Sequence, residues 1–151
     1  AGRRPQRHIL RPDDGFSLDR AAVPAADLAA TWFGHSSAVI EVDGYRILAA
    51  GNVRDAFGLL ATNDVQVILS DQRMSEMDGT EFLGRVKMLY PDTIRLVLSG
   101  YTDLATVTDA INRGAIYRFL TKPWDDNKLR EHIRQAFRTY DSQRGRDVPI
   151  D

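Results

Sequence analysis

The chain has 151 residues, of which 43% are hydrophobic, and its 20 Lys and Arg residues against 21 Asp and Glu residues give a net charge of −1. This length fits one domain or one domain with an appendage, and the apolar content supports a folded core. The balanced charge argues against nucleic acid or an anionic membrane as a partner. No apolar run reaches the roughly 20 residues that span a bilayer, so we predict a cytoplasmic protein.

Cysteine is absent, and the three histidines, His8, His35 and His132, are far apart in the sequence. The absence of Cys excludes disulfides, thiol catalysis and Cys-based zinc sites. A closed zinc site usually takes four nitrogen or sulfur ligands, so we predict that the protein binds no zinc.

Residues 1–44 show little regular alternation apart from two short apolar runs. These runs, Thr31–Gly34 and Ala38–Val42, are predicted strands. Asp43-Gly44 then lies between two apolar runs, which is the strongest short-range signal for a β-hairpin. We therefore predict that Ala38–Val42 pairs antiparallel with Tyr45–Ala49.

From Tyr45 to Tyr140, short apolar runs alternate with stretches of helical periodicity, which is the pattern of βαβ units. The predicted strands are Tyr45–Ala49, Val65–Ser70, Thr93–Leu98 and Ile116–Leu120. The predicted helices run from Asn52 to about Thr62, through Phe82–Leu89, through Leu104–Ile111, and from Asp125 or Asp126 to Tyr140. The pattern predicts a three-layer α/β fold whose parallel sheet is extended by the hairpin into a mixed sheet. Residues 45–140 would form the main domain, 1–44 an N-terminal segment and 141–151 a polar tail.

Three polar residues follow successive predicted strands. Asp71, Ser99 and Lys122 each stand just past a strand end. Because right-handed βαβ units make these strands parallel, the three side chains are expected at one edge of the sheet, where open α/β sheets bind ligands. Together they offer a nucleophile, a hydrogen-bond partner and a counter-charge. The alternative is that Asp71 and Ser99 begin turns and that Lys122 is a solvated cation.

The residues around these positions resemble a known family. The matching motifs are Ser70-Asp71-Gln72-Arg73-Met74, Met77-Asp78-Gly79, Leu98-Ser99-Gly100 and Thr121-Lys122-Pro123-Trp124. They closely resemble the receiver domains of two-component response regulators, which have a flavodoxin-like fold. The resemblance covers about residues 45–140.

The resemblance implies a role for each residue of the site. Asp71 would accept a phosphoryl group from a histidine kinase or phosphotransfer protein, and Lys122 would pair with the phosphate through a side chain oriented by a cis Lys122-Pro123 bond. Ser99 would be the switch hydroxyl and Phe119 the switch aromatic residue. Asp71 and the backbone carbonyl of Arg73 would ligate Mg²⁺.

The Mg²⁺ site of receivers also needs an acidic pair that follows their first strand. The nearest candidates here are Asp13 and Asp14, after the short run Ile9-Leu10. The alternative is that they belong to a polar N-terminal arm. Two functions therefore stay open: a phosphoacceptor that autocatalyses its own phosphorylation, or a folded hybrid with a structural or interaction role and no phosphotransfer.

The front of the chain resembles a different family. Ala30–Leu48 resembles the opening hairpins of the metallo-β-lactamase fold, in its lactonase-like hydrolase branch, over about residues 11–48. The zinc cluster of that family, His-x-His-x-Asp-His, is absent from the sequence, so hydrolase activity is not implied. His35 is then interpreted as a turn or packing residue, and the chain as a fusion of two segments, natural or constructed.

A receiver without its first strand must close its sheet differently. That strand normally lies between the second and third, so we predict that Tyr45–Ala49 pairs directly with Val65–Ser70, with Thr31–Gly34 outside the hairpin. One face of the sheet would then lack the first helix of receivers, which would expose apolar side chains of Val65–Ser70 and of the C-terminal helix. We predict that Asp19–Ala30, with Leu18, covers this face, or that a second copy does so in a homodimer.

Overall fold

The structure is a computed structural model of the single chain, and it describes residues 9–10, 36–42, 44–100 and 104–144. The described strands are β1 Ile9–Leu10, β2 Ala38–Val42, β3 Tyr45–Ala50, β4 Val67–Asp71, β5 Ile94–Ser99 and β6 Arg118–Thr121. The described helices are α1 Val53–Thr62, α2 Gly79–Leu89, α3 Leu104–Asn112 and α4 Asp126–Arg144. The predicted α/β class is confirmed.

The strands form one mixed sheet in the order β1-β2-β3-β4-β5-β6. The predicted hairpin is present, because β2 and β3 pair antiparallel over Ala38↔Ala49 to Val42↔Tyr45. The predicted direct contact between β3 and β4 is also present as a parallel pair, and β5 and β6 continue the parallel half of the sheet. Outside the hairpin lies β1, which pairs parallel with β2. The predicted strand Thr31–Gly34 lies outside the described residues.

Two strands begin two residues later than predicted, and the other strand boundaries agree with the prediction to within one residue. β4 begins at Val67 rather than Val65, because the Gln66 side chain takes over one ladder position. Its Oε1 accepts a hydrogen bond from the backbone N–H of Arg46 at 2.7 Å, while the backbone N–H of Gln66 donates to the Arg46 carbonyl at 3.1 Å. β6 begins at Arg118 rather than Ile116, since the turn after α3 continues to Tyr117.

The sheet has a hydrophobic core on each face, which explains why its strands are almost continuously apolar. On one face the strands pack against α1, α2 and α3, with Phe57 and Phe82 in an edge-to-face contact at 5.1 Å. On the other face they pack against α4 through Leu129, Ile133 and Phe137. The protein is therefore a three-layer α/β structure, as predicted.

The face that carries α4 is the one predicted to lack the first helix of receivers. The side chains of Ile40, Val42 and Ile47 on this face are no more than 1% exposed within the single chain. This face therefore does not require a second copy to bury it. The segment predicted to cover it, Asp19–Ala30 with Leu18, lies outside the described residues.

Helix α4 extends further than its apolar periodicity predicts. It continues to Arg144, four residues into the predicted polar tail 141–151. Two polar contacts hold this last turn: the Tyr45 hydroxyl donates a hydrogen bond to the Asp141 carboxylate, and Arg144 forms an ion pair with Asp92 at 3.0 Å. In the part of the chain that is described, no helix is both long and apolar enough to cross a membrane.

The backbone conformation of Gly44 in the hairpin turn can be tested by substitution. Gly44 has a φ of 82°, in the left-handed region that L-residues avoid, and no atom lies within 4 Å of a Cβ added there. Gly44→Ala should therefore destabilise the protein by about 1–2 kcal/mol through conformation alone. Gly58→Ala is the matched control, because Gly58 lies inside α1 with open space around its Cβ position. The control should stabilise the protein by about 0.5–1 kcal/mol in urea unfolding, and equal effects of the two substitutions would contradict the assignment.

A contact between β6 and α4 predicts a dependence of stability on pH. Arg118 Nη1 lies 2.6 Å from His132 Nδ1, and burial, together with the charge of Arg118, lowers the pKa of His132. The unfolded chain therefore takes up this proton at a higher pH than the folded chain, so the free energy of unfolding should fall as the pH drops below about 6.5. His132→Gln should show a weaker fall in urea unfolding across this range. Parallel pH profiles of the two proteins would show that His132 is not responsible.

Candidate functional site

The carboxyl ends of β4, β5 and β6 bring the predicted site residues to one edge of the sheet. The ladder pairs Asp71 with Leu98 and Ser99 with Thr121, so that Asp71, Ser99 and Lys122 follow one another across adjacent strands. Lys122 Nζ lies 2.7 Å from Asp71 Oδ1 in an ion pair. The Asp71 side chain is 8% exposed and that of Lys122 36%, so the pair lies in a shallow, partly covered position.

The two oxygens of the Asp71 carboxylate have different surroundings. Oδ1 accepts the ammonium hydrogen bond of Lys122 and a second hydrogen bond, at 3.2 Å, from the backbone N–H of Arg73. No hydrogen bond from another described residue reaches Oδ2. Oδ1 is therefore the oxygen that the described residues hold in place.

The loop that follows Asp71 is held by Gln72, a residue that the sequence analysis did not single out. Its buried side-chain Oε1 accepts a hydrogen bond from the backbone N–H of Thr80 at 3.0 Å, and its own backbone N–H donates to the Leu98 carbonyl at 3.0 Å. The Gln72 carbonyl in turn accepts a hydrogen bond from Gly79 at 2.8 Å. Gln72 thereby joins β5, the Asp71 loop and the start of α2.

Ser99, Phe119 and the Lys122-Pro123 bond occupy the positions expected for them. The Ser99 hydroxyl is buried and donates a hydrogen bond to the Gly100 carbonyl at 3.0 Å, and the Ser99 carbonyl accepts one from the backbone N–H of Lys122 at 2.9 Å. Phe119 is partly buried against the core that faces α1, α2 and α3. The Lys122-Pro123 peptide bond is cis, as the resemblance implies. The switching roles of Ser99 and Phe119 remain predictions.

The residues proposed to hold Mg²⁺ are only partly within the described structure. Asp71 and the Arg73 carbonyl are described, whereas Asp13 and Asp14 lie outside the described residues. Within the described ranges, no three or more Asp, Glu, His or Cys side chains form a group suited to a metal ion. The described residues therefore do not form the ligand set that the resemblance implies. Mg²⁺ binding stays a prediction.

A hydroxyl and backbone groups occupy the strand end beside Asp71. Ala50, the last residue of β3, lies opposite Ser70 in the ladder. The following backbone N–H groups of Gly51 and Asn52 donate to the hydroxyl oxygen of Ser37 at 3.1 and 3.2 Å, and that hydroxyl donates to the Asn52 carbonyl at 3.0 Å. The sequence analysis missed Ser37, because its partners are about 15 residues away and no local pattern marks the contact.

A comparison with protein families agrees with this geometry. The sequence model of the response regulator receiver domain matches residues 33–134, about two thirds of the chain. The chain belongs to this family. The matched range begins before Tyr45, so it includes the hairpin strand β2 as well as the receiver-like region predicted from the sequence.

Relatives of this chain include proteins named as transcriptional regulatory proteins. The hydrogenase transcriptional regulatory protein HoxA of Bradyrhizobium diazoefficiens is 37% identical over 102 residues, which are 68% of this chain and 21% of HoxA. The transcriptional regulatory protein ZraR of Klebsiella oxytoca is 33% identical over 93 residues, which are 62% of this chain and 21% of ZraR. The chain thus spans about a fifth of the length of these curated relatives.

The fold is similar to solved receiver structures. The signal receiver domain of an HD domain-containing protein from Pseudomonas fluorescens Pf-5 superposes with a TM-score of 0.62 at 30% identity, covering 97% of this chain and 96% of that chain. The structure of an adenylate cyclase from Rhodopirellula baltica superposes with a TM-score of 0.65 at 25% identity, covering 95% of each chain.

Gly79 packs closely against the backbone of Asp71 and Gln72, and this contact can be tested by substitution. A Cβ added at Gly79 would lie 2.4 Å from the Asp71 carbonyl oxygen and 3.0 Å from Gln72 Cα, both of which are backbone atoms. Gly79→Ala should therefore displace the Asp71 loop and destabilise the receiver domain by about 1–3 kcal/mol. Gly84→Ala, in the same helix with open space around its Cβ position, should be neutral or stabilising by up to about 1 kcal/mol. If Gly79→Ala were as stable as the control in urea unfolding, the close approach would be disproved.

Proposed function

We propose that Asp71 is the phosphoacceptor of this receiver domain in a phosphorelay. The observation that carries the proposal is the ion pair between Lys122 and Asp71, 2.7 Å long, at the edge where the parallel strands end. A carboxylate at a strand end, with a lysine on one oxygen and no hydrogen bond from the described residues on the other, is arranged for attack on phosphorus. The phosphoryl donor would be a histidine kinase or a phosphotransfer protein.

Phosphoryl transfer to Asp71 would depend mainly on the position of the reacting groups and on positive charge near them. Phosphoryl transfer places negative charge on the oxygens around phosphorus, so a catalyst contributes chiefly by holding the groups in line and neutralising that charge. Asp71 needs no base because its carboxylate is already a nucleophile. Lys122 supplies a cation, and the backbone N–H of Arg73 holds Oδ1 in place. A kinase would supply the phosphoryl group from a phosphohistidine.

The wider role follows from the relatives and belongs to the same proposal. HoxA and ZraR are named as transcriptional regulatory proteins, and the matched region is a fifth of each. We propose that this receiver domain acts as the input of such a two-component regulator, with Ser99 and Phe119 reporting the state of Asp71. The predicted cytoplasmic location fits this role and is part of the proposal.

A second candidate is a folded hybrid with a structural or interaction role and no phosphotransfer. It is favoured by the position of β3, which pairs directly with β4 where receivers place the strand that leads to their acidic pair. The origin of residues 11–48 in a metallo-β-lactamase-like hairpin belongs to this candidate. The receiver family match already includes residues 33–48, so a fusion would have to lie before or within this overlap.

Labelling with a small phosphoryl donor separates the two candidates. Incubation with acetyl phosphate should add one phosphate to the chain, and Asp71→Asn should abolish it, as read by intact-protein mass spectrometry. Asp55→Asn is the matched control, because Asp55 is an exposed carboxylate in the first turn of α1, the helix that follows β3. A label that survives Asp71→Asn would disprove the assignment, and a chain that never labels would support the second candidate.

A further inference from the structure

The strand beside Asp71 brings no carboxylate to the site. In this sheet β3 is the neighbour of β4 on the side away from β5, and Ala50 lies opposite Ser70. The chain then continues through Gly51 and Asn52 into α1. Their backbone groups are bonded to the Ser37 hydroxyl, so this position holds neutral groups in place of an acidic pair.

β1, which precedes Asp13 and Asp14 in the sequence, runs in the direction opposite to β4. β1 is parallel to β2, and β2 is antiparallel to β3, so β1 runs antiparallel to β4. Its carboxyl end therefore lies at the edge of the sheet opposite Asp71. A first receiver strand would instead lie beside β4 and end at the same edge as Asp71.

The distance between the end of β1 and Asp71 can be estimated from the register of the sheet. Leu10 lies opposite Val42, which lies opposite Tyr45, two residues before the pair Ile47↔Val67. The level of Leu10 is therefore six residues before Asp71, or roughly 20 Å along the strands at about 3.3 Å per residue. Three strand spacings of about 4.8 Å add roughly 14 Å across the sheet, so the end of β1 lies roughly 25 Å from Asp71.

The protein itself supplies the positive charge that Asp71 faces. Asp71 Oδ1 receives the Lys122 ammonium at 2.7 Å and the Arg73 backbone N–H at 3.2 Å, and the Asp71 side chain is 8% exposed. An ammonium in direct contact with a largely covered carboxylate neutralises much of its charge. A divalent cation on the same oxygen would have to displace Lys122.

We propose that Asp71 accepts its phosphoryl group without a divalent cation, and that Lys122 is the cation of the site. This inference rests on the proposed phosphoacceptor function. Oδ2 of Asp71 attacks the phosphorus of acetyl phosphate, and the bond from phosphorus to the acetate oxygen breaks with its electron pair on acetate. An aspartyl phosphate forms. Lys122 keeps its proton and pairs with an oxygen of the transferred group.

Labelling in the presence and absence of metal tests the proposal. Full-length protein is incubated with acetyl phosphate in Mg²⁺ or in EDTA, and we expect rates that agree within about twofold. Lys122→Met, which keeps the length of the stem and removes the charge, should slow labelling by about tenfold or more, and Lys122→Arg should restore part of the rate. Lys128→Ala, an exposed lysine in the first turn of α4, should label at the normal rate.

A metal titration gives a second readout that does not depend on labelling. Trp124 stands two residues after Lys122 and packs against the α4 core, so its fluorescence should report a change at Lys122. Trp32→Phe leaves Trp124 as the single tryptophan of the chain. We expect no saturable change on addition of Mg²⁺.

The outcomes distinguish this inference from the proposed function. Labelling that requires Mg²⁺, or saturable Mg²⁺ binding that Asp71→Asn removes, would overturn the metal-independent site and leave Asp71 as the phosphoacceptor. A chain that is not labelled in either condition would overturn the phosphoacceptor function and, with it, this inference. Equal labelling in Mg²⁺ and EDTA that is lost in Asp71→Asn would support both.

Discussion

The parallel pairing of β3 with β4 is the contact on which the rest of the structure depends. It joins the β2–β3 hairpin to the βαβ half of the sheet. β4, β5 and β6 are parallel to one another as well, so their carboxyl ends meet at one edge, where Asp71 and Lys122 are in contact. The same pairing places the end of β3, rather than an acidic strand end, beside Asp71.

The ion pair between Lys122 and Asp71 connects the stability of the site with its proposed reaction. Removing Lys122 would leave the Asp71 carboxylate, whose side chain is 8% exposed, without its cation, and an uncompensated covered charge is costly. The covered Asp71 carboxylate therefore holds Lys122 in place while the site is unphosphorylated. Under the proposed function, a phosphoryl group on Asp71 would give Lys122 a new anionic partner. Lys122, which pairs with Asp71 in the structure, would then also be the group that responds to phosphorylation.

The sequence predicts most of the sheet because its signals are local. Asp43-Gly44 predicts the hairpin, and apolar runs predict the strands that end near Asp71, Ser99 and Lys122. Gln66, Ser37 and Gln72 were not predicted, because each acts through a polar side chain on a partner that chain folding alone brings near. Gln66 shows this most simply, since its amide replaces a backbone position in the ladder and shifts the start of β4. The position of β1 was missed for the same reason: two apolar residues carry no signal for their partner strand or direction.

A buried arginine at the opposite edge of the sheet connects β5 to the turn that precedes β6. Arg95, near the start of β5, is buried and donates hydrogen bonds to the carbonyls of Ala115 at 2.8 Å and Thr93 at 2.7 Å. Its burial without a carboxylate among these contacts lowers the pKa of Arg95, and the carbonyl oxygens compensate for the lost hydration. The hydrogen bond to Ala115 fastens the turn before β6 to β5, next to the parallel register that sets Ser99 opposite Thr121. Lys122 follows Thr121 directly in the chain. The hydrogen bond between Arg95 and Ala115, in the turn before β6, therefore helps to position Lys122 at the end of that strand.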